Sequence, residues 1–158
     1  MAMKGDRARQ ALAILGGVDD ALAGIGCDSS TDCCRFRVTG REPWLTAAEW
    51  ELVVTEVGRL GRRLPRTNDD ADGRCPFLDE GGRCLVYAAR PLGCRSHFCE
   101  RAHGGPPPHP STFRDAARQL AALPGPHEAR GDDGKPRPIT SWLAGASSAR
   151  PARRRWRG

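Results

Sequence analysis

Seven cysteines are the residues of this sequence best suited to chemistry. Cys27, Cys33 and Cys34 form one group, and Cys75, Cys84, Cys94 and Cys99 form a second. Thiolates ligate zinc and iron, and four of them close a structural zinc site or hold a [4Fe–4S] cluster. Seven exceed the need of one such site, and an odd number does not permit a full set of internal disulfides. The opening segment does not read as a signal peptide: its best apolar run, Ala11 to Leu15, is short and soon followed by Asp19 and Asp20. No apolar stretch reaches the roughly 20 residues that span a bilayer. A cytoplasmic, reducing location is therefore expected, where clustered thiols point to metal ligation rather than disulfides.

The spacing sharpens this reading only in part. Eight, nine and four residues separate Cys75, Cys84, Cys94 and Cys99, none the tight two-residue spacing of a zinc knuckle. Successive side chains point to opposite faces of a strand, or about 100° apart on a helix. The adjacent thiols of Cys33 and Cys34 are thus not expected to converge easily on one ion. Either one ligates while the other packs, or each serves a different ion, or both reach a wider cluster. Other groups lie close by in sequence. Arg95 and Arg90 are cations that either stabilise thiolates or make structural hydrogen bonds. His97 and His103 are more readily structural or solvated than ligands, and Tyr87 is more readily core than redox-active.

Two helices must position the cysteines. Residues 6–25 carry Ala11, Ile14, Leu15, Val18, Leu22 and Ile25 at helical spacing, interrupted by Gly16 and Gly17, which predicts one helix, either continuous or broken at those glycines. Residues 46–64 begin with Thr46 and Glu49, a capping box, and place Trp50, Val53, Val54, Val57, Leu60 and Leu64 on one face before Pro65 stops the helix. If that helix folds back, both cysteine groups meet at one end of it. Phe77–Leu78 and Cys84–Tyr87 flank Asp79–Gly82, which predicts a short hairpin. Residues 104–110 read as a stiff linker, and Ser111 is positioned to cap a helix through Leu123 carrying Phe113, Ala116, Ala117 and Leu120. From Pro124 onward the composition predicts a largely disordered tail, except that Trp142, within 139–143, is placed to dock on the body.

Length and composition agree with a small domain. The 158 residues are 39% hydrophobic and only 6% aromatic, with 19 Gly and 13 Pro. The net charge of +6 resides beyond residue 129, so the body is neutral, which argues against a domain built around a nucleic-acid-binding face. The expected architecture is a small, mostly α protein with irregular cysteine-rich loops and a short β-hairpin around a metal site. Its expected divisions are a cysteine-cluster domain over 1–104, a Pro-rich linker and short helix over 105–129, and a basic tail over 130–158.

The stretches CDSSTDCCRF (27–36) and CPFLDEGGRCLVYAARPLGCRSHFC (75–99) resemble the YkgJ-type cysteine-cluster family, also written CxxCxxCC, a zinc- or iron-chelating domain. Its first motif reads C-x2-C-x2-C-C. Its second runs C-P-x-L, a glycine turn, then C-x-[IV]-Y-x-x-R-P-x-x-C-R-x-x-x-C. Cys75–Pro76, Leu78, Gly82, Cys84, Val86–Tyr87, Arg90–Pro91, Cys94–Arg95 and Cys99 all match. The second cysteine of the first motif falls on Ser30, a poor soft-metal ligand. The resemblance implies metal binding by Cys27, Cys33, Cys34, Cys75, Cys84, Cys94 and Cys99, with zinc or iron, including a [4Fe–4S] cluster, as the cofactor. A relative of the domain occurs in flagellin lysine methylases, where an iron–sulfur cluster is implied, but nothing else in the chain resembles a methyltransferase.

Three function classes follow. The first is a metal-binding protein that uses clustered thiolates. The second is an iron–sulfur redox or group-transfer enzyme component, although no nucleophile–base or carboxylate pair specifies a reaction. The third is a protein that engages nucleic acid or an acidic protein surface through Arg150–Arg157, where Trp156 sits among arginines; a solvated tail is the simpler reading.

Overall fold

The computed structural model describes residues 5–27, 31–66, 73–97, 102–123 and 135–148. It is mostly helical, with a small two-stranded antiparallel sheet. Helix α1 spans Asp6–Ala21 and runs unbroken through Gly16 and Gly17. The helix is continuous there: neither glycine takes a left-handed conformation, and Leu15 and Val18 on either side are both buried. Isolated glycines weaken a helix by about 1 kcal/mol each, which burial of the flanking apolar face outweighs.

A four-residue helix, α2 (Phe36–Thr39), leads to strand β1 (Trp44–Leu45) and then to α3 (Ala47–Arg59). The capping box at the start of α3 forms as read from the sequence. The Thr46 amide donates to Glu49 Oε2 at 2.8 Å, and the Glu49 amide donates to Thr46 Oγ1 at 3.3 Å. The far end is shorter than expected. Gly61 adopts φ +64°, and the Arg62 amide reaches back to the Val57 carbonyl at 3.1 Å, a left-handed cap that ends the helix before Pro65 is reached. Leu64 therefore packs on the core from outside the helix. The buried face is also rotated: Ala48, Leu52, Val53 and Val57 point inward, while Val54 and Leu60 are exposed.

Beyond the cysteine-rich segment come α4 (Leu92–Arg95), α5 (Pro110–Ala122), strand β2 (Arg137–Pro138) and α6 (Ile139–Ser148). The cap of α5 is His109 rather than Ser111: its Nδ1 accepts the Ser111 amide at 3.2 Å, and Pro110 takes the first helical position. Strand β2 pairs antiparallel with β1, with Trp44 opposite Pro138 and Leu45 opposite Arg137. Trp142 docks as expected. It stacks on Trp50 at 5.9 Å between ring centroids and donates from Nε1 to the Leu45 carbonyl at 3.0 Å. Glu42 caps this segment by accepting the Thr140 amide at 2.8 Å.

One core joins these elements. Ala11 and Leu15 of α1, Val53 of α3, Leu120 of α5 and Leu143 of α6 share it with Phe77 and Val86 of the cysteine segment. No helix among the described residues is long and apolar enough to cross a membrane. Leu143 is fully buried, so Leu143→Ala should cost about 3 kcal/mol, read as a lower urea midpoint with unchanged m-value.

Candidate metal centre

The first cysteine group is set by a tight turn. Thr31 adopts φ +63°, uncommon for a β-branched residue, and starts a 3-10 turn over Asp32–Cys34. Chain reversal then joins the two groups. The Cys75 amide donates to the Cys34 carbonyl at 2.7 Å, and the Phe36 amide donates to the Gly73 carbonyl at 2.9 Å, so Arg35 and Arg74 face each other as an antiparallel bridge. Gly73 is required there: its φ is +59°, and a Cβ would lie 3.0 Å from the Arg37 backbone nitrogen.

The expected hairpin is reduced to a single bridge between Leu78 and Cys84. The Leu85 amide donates to the Phe77 carbonyl at 2.8 Å, and the Asp79 amide to the Arg83 carbonyl at 2.8 Å. Asp79 Oδ1 accepts the Arg83 amide at 2.7 Å, which holds the turn through Gly82. Cys94 arrives on α4, whose start is tied to α3: the Leu92 amide donates to Glu49 Oε1 at 2.8 Å. The buried carboxylate of the capping box thus also fixes the third arm of the cluster. On the other side, Gly26 and His103 exchange both backbone hydrogen bonds at 2.9 Å, which sets the position of Cys27.

These closures place Cys27, Cys33, Cys34, Cys75, Cys84 and Cys94 on the wall of one cavity of about 680 Å³. Cys33 and Cys34, adjacent in sequence, both reach this one wall. In the 3-10 turn the Cys34 thiol hydrogen-bonds the Cys33 sulfur, which lowers Cys33 to about 6 and keeps Cys34 protonated. The remaining thiols are pushed the other way. Burial raises Cys75 to about 12, with the Cys84 and Cys33 sulfurs adding to the effect against a hydrogen bond from the Phe77 amide. Burial likewise raises Cys94, with Cys75 and Cys84 adding, and raises Cys84, opposed by the Val86 amide and by Arg90.

The CxxCxxCC model, described as a "putative zinc- or iron-chelating domain", matches residues 26–111, just over half the chain. The chain belongs to the CxxCxxCC family. The matched span opens at Gly26, the residue that pairs with His103, and includes the Cys34–Cys75, Phe36–Gly73 and Phe77–Leu85 closures that position the cysteines. Neither a curated protein nor a solved structure matches the chain.

The CxxCxxCC donor set suits zinc or iron, for which thiolate is a preferred ligand. Backbone N–H groups aimed at the sulfurs of Cys75 and Cys84 are the outer support that metal thiolates use. Among the described residues, no three Cys, His, Asp or Glu side chains are drawn close enough to enclose an ion as they stand. The donors are thus gathered on one wall but not closed.

Several neighbours differ from their expected roles. Arg95 is buried away from the thiols: it donates from Nε to the Arg90 carbonyl at 2.8 Å and from a terminal nitrogen to the Ala88 carbonyl at 3.1 Å, and pairs with Asp19. Its role is structural. Tyr87 is 62% exposed rather than core. His103 serves through its backbone, whereas His97 lines the cavity, with Arg41 3.3 Å from its Nδ1. Burial and then that cation lower His97, which favours the neutral imidazole. Arg41, Glu42 and Trp44 on the cavity wall were not singled out from sequence; the polar and aromatic run leading into the capping box was the available signal. Ser30, Cys99 and the arginine-rich stretch 150–157 lie outside the described residues.

The thiols make metal-free stability depend on pH. Unfolded thiols titrate near 9.0, whereas Cys75 in the fold holds its proton to about 12. Above pH 9 the unfolded chain binds fewer protons than the fold, so stability falls, by at least about 1 kcal/mol per pH unit. Cys33, lowered to about 6, acts oppositely between pH 6 and 9. Urea titrations of metal-free, reduced protein should show stability falling as pH rises from 9 to 11; a flat profile would contradict this burial.

Proposed function

We propose that the protein chelates zinc or iron through the thiolates of Cys33, Cys34, Cys75, Cys84 and Cys94, with Cys27 and Cys99 as further donors. The observation that carries the reading is the convergence of both cysteine groups on one cavity wall, where Cys33, Cys75 and Cys84 all act electrostatically on Cys94. A cation reverses the balance that keeps Cys75, Cys84 and Cys94 protonated. Each thiol loses its proton as it ligates, so binding releases protons and strengthens with pH.

Because the donors are not closed in the fold as described, ligation draws the Cys33–Cys34 turn, the Cys75–Cys84 turn and α4 together. Binding free energy then becomes folding free energy. Five gathered thiols and a cavity wider than one ion also suit an iron–sulfur cluster, which the metal content and colour of anaerobically purified protein will distinguish from zinc.

Elemental analysis of protein purified without oxygen should find at least about one zinc or iron per chain. Cys75→Ser and Cys84→Ser should each weaken binding by at least about 100-fold, the upper end of what loss of a supporting group costs. Metal at 100 times its dissociation constant should stabilise the wild type by about 2.7 kcal/mol. Metal-free protein that neither takes up zinc or iron nor gains stability from them would refute the proposal.

A further inference from the structure

Arg90 lies on the wall of the cavity that the thiols share. Its side chain is half-buried and held at two points: Nε donates to the Tyr87 carbonyl at 3.1 Å, and Cζ lies 3.7 Å from the Tyr87 ring centroid. Its own carbonyl is fixed by Arg95 Nε at 2.8 Å. The backbone and the side chain of Arg90 are therefore both pinned, and among the described residues no carboxylate pairs with the guanidinium. The two carboxylates on the same wall are committed elsewhere, Glu42 to Thr140 and Glu49 to Thr46 and Leu92.

A cation so placed needs a negative counterpart. Four thiolates around a divalent ion leave two negative charges, a cost in a partly buried site unless a nearby cation offsets it. We propose that Arg90 is the counter-charge of the thiolate centre, a positioning residue that stabilises the metal-loaded state without ligating the metal. The inference rests on the chelation reading and identifies the group that balances its charge. Arg90 lines the same cavity as Cys33, Cys84 and Cys94, which belong to both halves of the motif. Arg83 lines the same cavity but is exposed, whereas Arg90 is half-buried, and so Arg83 serves as an internal control. The stacked Tyr87 ring orients the guanidinium and shields one of its faces.

The test compares the affinities of wild type, Arg90→Gln, Arg90→Lys and Arg83→Gln for zinc and, anaerobically, ferrous iron. Competition with a chromophoric chelator gives the affinity, and far-ultraviolet circular dichroism reports the fold. Arg90→Gln should bind about tenfold more weakly, Arg90→Lys should recover most of the loss, and Arg83→Gln should stay near wild type. Rescue by lysine separates charge from shape, because lysine restores the cation without the Nε hydrogen bond or the planar stack. Unchanged affinity in Arg90→Gln, or no recovery in Arg90→Lys, would overturn the role of Arg90 while leaving chelation intact. A wild type that binds neither ion would instead overturn the chelation reading.

Discussion

The hydrogen bond from the Cys75 amide to the Cys34 carbonyl, 2.7 Å long, joins the two halves of the cysteine pattern. Some forty residues of chain, including all of α3, lie between those two positions, and closing such a loop carries an entropy cost that local contacts alone do not recover. The cost is met by α3 itself. Its buried face packs against α1, and its capping carboxylate reaches the backbone at Leu92. The helix therefore does more than connect the two groups: it holds the first group and the last arm of the second in fixed relation.

The same arrangement sets up an electrostatic tension at the site. Cys75 and Cys84 pack against the core, where ionisation is disfavoured. Mutual proximity disfavours it further. Two features oppose this, the backbone amides aimed at sulfur and the pinned guanidinium of Arg90. A fold that buries several thiols together, and also supplies groups that favour their ionised forms, is suited to a cation it takes up from solution.

Much of this was legible in the sequence because it rests on local rules. The capping box at Thr46 and Glu49, the apolar stripe of α1, the turn around Gly82 and the docking of Trp142 each follow from residue type at a short spacing. What was not legible depended on tertiary context. Gly61 ended α3 before Pro65, and that choice rests on a left-handed cap that competes with continued helix. The 3-10 turn at Asp32–Cys34 puts adjacent cysteines on one cavity wall, whereas helix and strand geometry predicted divergence. The roles of Arg90 and Arg95 were interchangeable on paper, since only the packing of α1 against α4 decides which of the two turns toward Asp19. Glu49 shows the limit most clearly: one of its oxygens was assigned correctly to the cap, but its second partner, 43 residues away, leaves no trace in a local pattern.

The central claim is that sulfur atoms from both halves of the motif surround one metal centre. X-ray absorption at the metal edge of zinc- or iron-loaded protein measures that shell directly. The account predicts a first shell dominated by sulfur, at about 2.3 Å for zinc, that loses sulfur when either Cys34 or Cys84 is replaced by serine. A first shell of nitrogen and oxygen near 2.0–2.1 Å, unchanged by those replacements, would contradict it.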